Sequence, residues 1–381
     1  MTDESQVSKF QIYAACNAGG AGVERLTLDL DKGSLIPAEA SSALPVANFL
    51  AVDEPNGRLY AIGDGPADGE NPRGRLQAFR LVGHEGQLEP VGEPRSTGGS
   101  SPCFVSVADG GRLVLVTNFR AFGGYGQPGA DSKGGLAAYA CVPATGALSD
   151  PSVLQNEGSG PHPVRQTNPH PHCVLHAPGG QHVYVADLGA DRIWIYRTGK
   201  DVDGSPALVA AEPAFAVTPA GTGPRHLAFT PDGRFVYAIS EISSAVLAFQ
   251  REPDTGALQL LQEVSALPVD LPGGGGCADL HVHPSGRFLY ASNRDNHAIT
   301  NFTIDRESGS LRYSGYVLAG GECPRGFTLL PDGTHLLAAN QETRNVVLFR
   351  LDPETGTATP TGVSANTTGK PIAMAAVPSK S

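Results

Sequence analysis

Residues 222–241 read TGPRHLAFTPDGRFVYAISE, and the reading of this stretch decides the fold. Two apolar runs, Leu227–Thr230 and Arg234–Ser240, flank the turn Pro231-Asp232-Gly233. β-Branched and aromatic residues in alternation on both sides of an Asp-Gly pair predict an antiparallel β-hairpin. Arg225 precedes the first strand and Glu241 follows the second. A hairpin brings those two ends together, so an arginine and a carboxylate meet at its open mouth.

The hairpin recurs. Its turn glycine aligns with Gly57, Gly111, Gly180, Gly286 and Gly333, and successive spacings along the chain are 54, 69, 53, 53 and 47 residues. A second marker follows each hairpin: an apolar strand and then often Gly-x-Leu, as in VLAFQREPDTGAL and ITNFTIDRESGSL. There are seven copies of this marker against six turns. The missing hairpin is divided between the chain ends, because Phe10–Asn17 matches a second strand and Pro371–Pro378 a first. A four-strand period of this length is the signature of a β-propeller. The expected fold is all-β: one seven-bladed domain over residues 1–381, four antiparallel strands per blade, with both termini completing one blade.

Composition agrees and narrows the function. The chain has 48 Gly and 31 Pro with 40% hydrophobic residues, which suits a turn-rich β protein with a core. A net charge of −11 with no Lys/Arg run argues against a nucleic-acid partner. No apolar run is long enough to span a membrane, and the N-terminus lacks the basic and apolar segments of a signal peptide. The cysteines at 16, 103, 141, 173, 277 and 323 contain no C-x-x-C, so reduced thiols in a cytoplasmic protein are expected. Nothing in the sequence specifies an oligomeric state.

With every turn glycine on one face, the open mouths share the other. The long stretch 120–135 and the loops entering blades 4, 6 and 7, including Gly273–Gly276, gather on that mouth face, where binding is expected. Six residues before each turn proline, or its stand-in, the inner strands begin with Phe49, Cys103, His172, Arg225, Ala278 and Arg325. Eight residues after each turn glycine come Gly65, Phe119, Leu188, Glu241, Arg294 and Gln341. Three arginines, a glutamate and a histidine therefore converge on one funnel. The neighbouring column Asn17, Asp64, Asn118, Asp187, Ser240, Asn293 and Asn340 is so regular that strand-end turn chemistry accounts for most of it.

Charge in a narrow channel is costly unless it is paired or used. His172 can exchange protons near neutrality, and arginines can grip an anion or a developing oxyanion. The candidate catalytic residues are His172, Arg225, Glu241 and Arg294, with His170, His226, Arg325, Gln341 and Asn293 as substrate-binding candidates. The histidines at 162, 170 and 172 could suggest a metal, but no carboxylate has matching ligand spacing. Alternation along the strand does not decide which of His170 and His172 reaches the channel; column position favours His172.

The ordered set NPHPHCVLHAPGGQHVYVADLGADRI, GTGPRHLAFTPDGRFVYAISE, ADLHVHPSGRFLYASNRDN and ECPRGFTLLPDGTHLLAANQ resembles the seven-bladed lactonase family. That family contains propeller-type 6-phosphogluconolactonases and fungal-type 3-carboxy-cis,cis-muconate lactonizing enzymes. The resemblance implies a site at the channel mouth without metal or other cofactor, and in the lactonizing branch a machinery of one His, two Arg and one Glu. Matched by motif, these are His172 (with His170 as the alternative), Arg225 of PRH, Glu241 of ISE and Arg294 of SNR. The expected activity is hydrolysis of a sugar lactone of the 6-phosphogluconolactone type, with a small anionic lactone or carboxylate as partner. Cycloisomerisation of a carboxymuconate is the first alternative, and a non-catalytic binding scaffold the second.

Overall fold

The computed structural model describes residues 7–68, 71–120, 134–271 and 274–379. The stretch 121–133, most of the expected mouth loop of blade 3, lies outside the described residues, as do 272–273 at the approach to blade 6. Seven antiparallel sheets succeed one another along the chain. Blade 1 orders its strands as Pro371–Pro378, Lys9–Cys16, Val23–Asp29 and Ser34–Ser41, so the C-terminal strand is innermost and both termini share one sheet. Blades 2 to 7 begin with inner strands Phe49–Asp53, Ser100–Ala108, Pro171–His176, Pro224–Phe229, Cys277–Val282 and Pro324–Leu329. In blade 3 the outermost strand is split into Ala147–Leu148 and Ser152–Leu154. Each inner strand touches the inner strand of the next blade, and the last touches the first, which closes the ring.

The hairpin at 222–241 forms as its sequence predicts. Phe229 pairs with Val236 and Leu227 with Ala238 across a turn closed by the Gly233 N–H donating to the Thr230 carbonyl at 2.8 Å. Gly233 has φ +68°, a conformation that disfavours side chains. The core lies between blades: Phe235, Tyr237 and Val246 of blade 5 pack on Leu280, Leu289 and Phe302 of blade 6, and similar clusters join other neighbours.

The two sequence markers turn out to be the two halves of one blade-to-blade bond. The Tyr13, Tyr184, Tyr237 and Tyr290 hydroxyls donate to the carbonyls of Gly86, Gly256, Gly309 and Gly356, each in the next blade's outer turn, at 2.6, 2.7, 3.0 and 2.7 Å. Each buried tyrosine thus satisfies its hydroxyl where its ring packs. The polar strand-end column is mainly structural as well. The Asn118, Asn293 and Asn340 amides donate to the carbonyls of Thr97, Ala266 and Ala319, and Asp187 accepts the N–H groups of His170, Gly189 and Ala190.

One irregularity positions the site. The register of the inner strands slips at Cys103, His172, Arg225, Ala278-Asp279, Arg325 and Ile372. A β-bulge re-aims the bulged side chain and breaks the two-residue alternation. Apart from Phe49, whose strand pairs in unbroken register, the mouth column of the sequence is therefore a ring of bulges.

Candidate active site

The bulges and the strand ends beside them enclose a cavity at the mouth of about 330 Å³. His172, Arg225, His226, Glu241, Arg294 and Arg325 line it, together with Arg165, which sequence reading missed. Three of the expected residues lie elsewhere. His170 is behind the wall: its ring stacks on Phe119 at 4.5 Å and its Nδ1 bonds the Phe119 carbonyl at 2.7 Å. Asn293 is fully buried, its amide donating to the Ala266 carbonyl and the Thr300 hydroxyl. Gln341 donates its amide to Glu342 and does not line the cavity.

Glu241 is the electrostatic centre. Its Oε1 accepts from Arg165 Nη2 at 2.5 Å, and its Oε2 from Arg225 Nε at 2.8 Å, with Arg294 Nη2 at 3.4 Å. Burial alone would raise its pKa, but Arg225, Arg294 and Arg165 outweigh burial and hold the carboxyl well below the usual range. The carboxylate is thus permanently charged and a poor proton acceptor. Its geometry suits it to aligning three guanidinium groups.

Arg225 is anchored on three sides. Nε goes to Glu241, and Nη1 reaches both the Ala278 carbonyl at 2.5 Å and His226 Nε2 at 3.0 Å. Only Nη2 remains for the cavity. Burial, with Arg325 and Arg294 nearby, brings its pKa down to about 10, so it stays charged at neutrality. His226 is held from below, its Nδ1 donating to Asp279 Oδ1 at 2.8 Å. Asp279 also takes His281 Nε2 at 3.2 Å and the Leu280 and Phe327 N–H groups. Burial and then Arg225 lower His226 to about 4. It is therefore a neutral imidazole, protonated on Nδ1 and accepting from Arg225 on Nε2. Both nitrogens are engaged, and His226 supports Arg225. Asp279 escaped the sequence reading because it follows Ala278 in a bulge, where period-two facing fails.

His172 and Arg325 differ from these anchored groups. Burial and then Arg225 push His172 well below an imidazole's ordinary 6.5, so it is neutral. Its Nδ1 is buried without a partner among the described residues, and Nε2 is the nitrogen open to the cavity. Arg325 forms no hydrogen bond or ion pair among the described residues. A neutral base and an unspent cation thus face the same space.

The comparisons with known proteins agree with this architecture. The family model "Lactonase, 7-bladed beta-propeller" matches residues 11–375. The chain belongs to the seven-bladed β-propeller lactonase family. The 6-phosphogluconolactonase of Bacillus subtilis is 32% identical to it over 314 residues, covering 82% of each chain. That of Formosa agariphila is 29% identical over 82% of this chain and 83% of its own. The solved structure of the periplasmic gluconolactonase of Pseudomonas aeruginosa superposes with a TM-score of 0.85 at 30% identity, covering 98% of this chain and 100% of that one.

Two other features of this lactonase bear on the chemistry. Cys103 lies on the cavity wall, but burial pushes its thiol up to about 12, which leaves it un-ionised and a poor nucleophile. Among the described residues, no three His, Cys, Asp or Glu side chains approach closely enough to hold a metal ion. His162 accepts the Val164 and Arg165 N–H groups and so shapes the loop that delivers Arg165. Prolonged chelation is expected to leave lactone turnover unchanged. Loss of turnover, with recovery on adding a divalent ion, would overturn that expectation.

Proposed function

We propose that this lactonase hydrolyses a sugar lactone bearing an anionic substituent, of the 6-phosphogluconolactone type. The observation that carries the reading is Arg325, an unspent guanidinium on the wall of a cavity that also holds a neutral histidine. Arg325 receives the substrate's anionic group, in the bidentate manner open to a guanidinium. His172 Nε2 takes a proton from water as the water oxygen attacks the lactone carbonyl carbon. Arg225 Nη2 and Arg294 stabilise the oxyanion that forms. Collapse of that intermediate breaks the ring C–O bond, and the proton on His172 passes to the departing oxygen to give the open hydroxy acid. Glu241 keeps the arginines aligned and does not itself move a proton. The names of the relatives in Bacillus subtilis and Formosa agariphila support the substrate class. All six cysteines are unpaired, which supports a reducing, cytoplasmic setting.

The test is pH-stat turnover of 6-phosphogluconolactone beside unphosphorylated glucono-δ-lactone. The phosphorylated lactone is expected to be preferred. Arg325→Met should lower its kcat/KM about 10- to 100-fold, the effect of one or two charge-assisted hydrogen bonds, and should erase the preference. A wild-type protein that opens neither lactone would sink the reading.

The pH profile follows from His172. As the base it must be deprotonated, and its folded pKa lies below 6.5, so activity should hold from neutrality down through pH 6.5 and fail only below. An acid limb centred at or above pH 7 would assign the proton transfer to another group.

A further inference from the structure

We propose that Asn48 and Ser101, clamped together by Asp64, form the wall of the cavity that reads the hydroxyl groups of a polyol substrate. The inference rests on the sugar-lactone reading and assigns the part of that substrate the arginines do not. Blades 2 and 3 stand across the ring from blades 5 and 6, which supply Arg225, Glu241 and Arg294. On this far side the wall includes uncharged polar groups.

The orientation of Asn48 is forced by its neighbours. Its amide nitrogen donates to Asp64 Oδ2 and to the Pro102 carbonyl, both at 3.1 Å. Both partners are acceptors, so the NH₂ must face them and Oδ1 is the end left over. Asp64 spends its other oxygen on the Ser101 N–H at 3.0 Å. One carboxylate thus fixes two cavity-lining residues from adjacent blades. Neither Asn48 Oδ1 nor Ser101 Oγ has a partner among the described residues.

Ser101 adds an independent sign. Its φ is +51°, in the left-handed region that disfavours side chains. The same place before the inner strand is Gly223 in blade 5 and Gly276 in blade 6, with φ +62° and +60°. Blade 7 has Cys323 there, at φ +60° and off the cavity. Blade 3 accepts the strain and gains a hydroxyl on the cavity wall. A carbonyl acceptor beside a hydroxyl, both without a partner among the described residues, matches substrate O–H groups. A site built to hydrogen-bond a hydroxyl discriminates strongly against an analogue lacking it, because its own polar groups are then left unpaired.

Calorimetry with two six-carbon carboxylates tests this: sodium D-gluconate, which carries the hydroxyls, and sodium hexanoate, which does not. The wild-type protein is expected to prefer gluconate. Asn48→Ala and Ser101→Gly should each cut that preference about tenfold, with hexanoate affinity nearly unchanged. Ser101→Gly relieves the left-handed strain, so its melting temperature should hold or rise while the preference falls; a folding defect would not produce that pairing. A preference unchanged in both variants, or absent from the wild type, overturns the assignment. A wild-type protein that keeps the preference but opens no sugar lactone supports hydroxyl recognition and counts against the proposed reaction instead.

Discussion

His172→Gln is expected to lower kcat by about 10²–10⁴, the usual cost of removing a general base, with little change in melting temperature. The separation follows from its surroundings. Nδ1 of His172 is buried without a partner among the described residues, so the native fold loses no side-chain hydrogen bond when the ring is replaced. What remains is packing against Phe119 and His226, at ring distances of 5.6 and 5.3 Å, which glutamine largely fills. An unsatisfied buried group that persists in a native site is better explained by use than by stability. Glu241→Gln should behave differently. It removes the charge that Arg165, Arg225 and Arg294 share, and breaking a buried pair from one side costs about 3–5 kcal/mol. Turnover and melting temperature should therefore fall together. The loss should be greatest near neutrality. The ionised Glu241 stabilises the fold above an unfolded carboxyl's 4.5 and ceases to as pH falls through its much lower folded value. Turnover and melting are to be read on the same preparation of each variant. Full turnover in Glu241→Gln would make the arginine–carboxylate cluster structural, and full turnover in His172→Gln would remove the base from the mechanism.

How far the site was legible depended on whether strict alternation held. The ring, its closure through Pro371–Pro378 and the structural role of the strand-end column all follow from periods that survive in the structure. His172, Arg225, Glu241 and Arg294 were found because position within the repeat marks them, even though bulges re-aim two of the four. The same bulges concealed Asp279 and the bond by which His226, itself a binding candidate, supports Arg225. His226 looks like a strand residue facing away from Arg225, and Asp279 like a neighbour of Ala278. Only the slipped register brings His226, Asp279 and Arg225 into one chain of hydrogen bonds. His170 and His172, two residues apart, share a face under strict alternation, and only the bulge at His172 separates them. Arg165 lies in an irregular segment with no period to count from. Asn48 and Ser101 are uncharged, and nothing in the repeat distinguishes them until Asp64 is seen to hold both.

Removing residues 371–381 is expected to abolish cooperative folding. The strand Pro371–Pro378 pairs along Phe10–Cys16 and is the innermost strand of blade 1. Ile372, Met374 and Val377 are each less than 9% exposed, and burying three such side chains is worth roughly 5–9 kcal/mol. That equals much of the 5–15 kcal/mol total typical of a native protein. Deletion would also bare the edge of Lys9–Cys16 and uncover blades 2 and 7, which pack on the lost strand. A second clasp would remain: Glu24 accepts the Thr368 hydroxyl and the Thr368 and Gly369 N–H groups, at 2.6, 2.9 and 2.6 Å. Those bonds are few beside the lost strand and cannot replace its apolar face, so the clasp should not rescue the ring. Adding a peptide of residues 371–378 in trans should restore part of the melting transition. A truncated protein that melts together with the parent would show that the ring stands without its closing strand, and the stability argument from closure would fall.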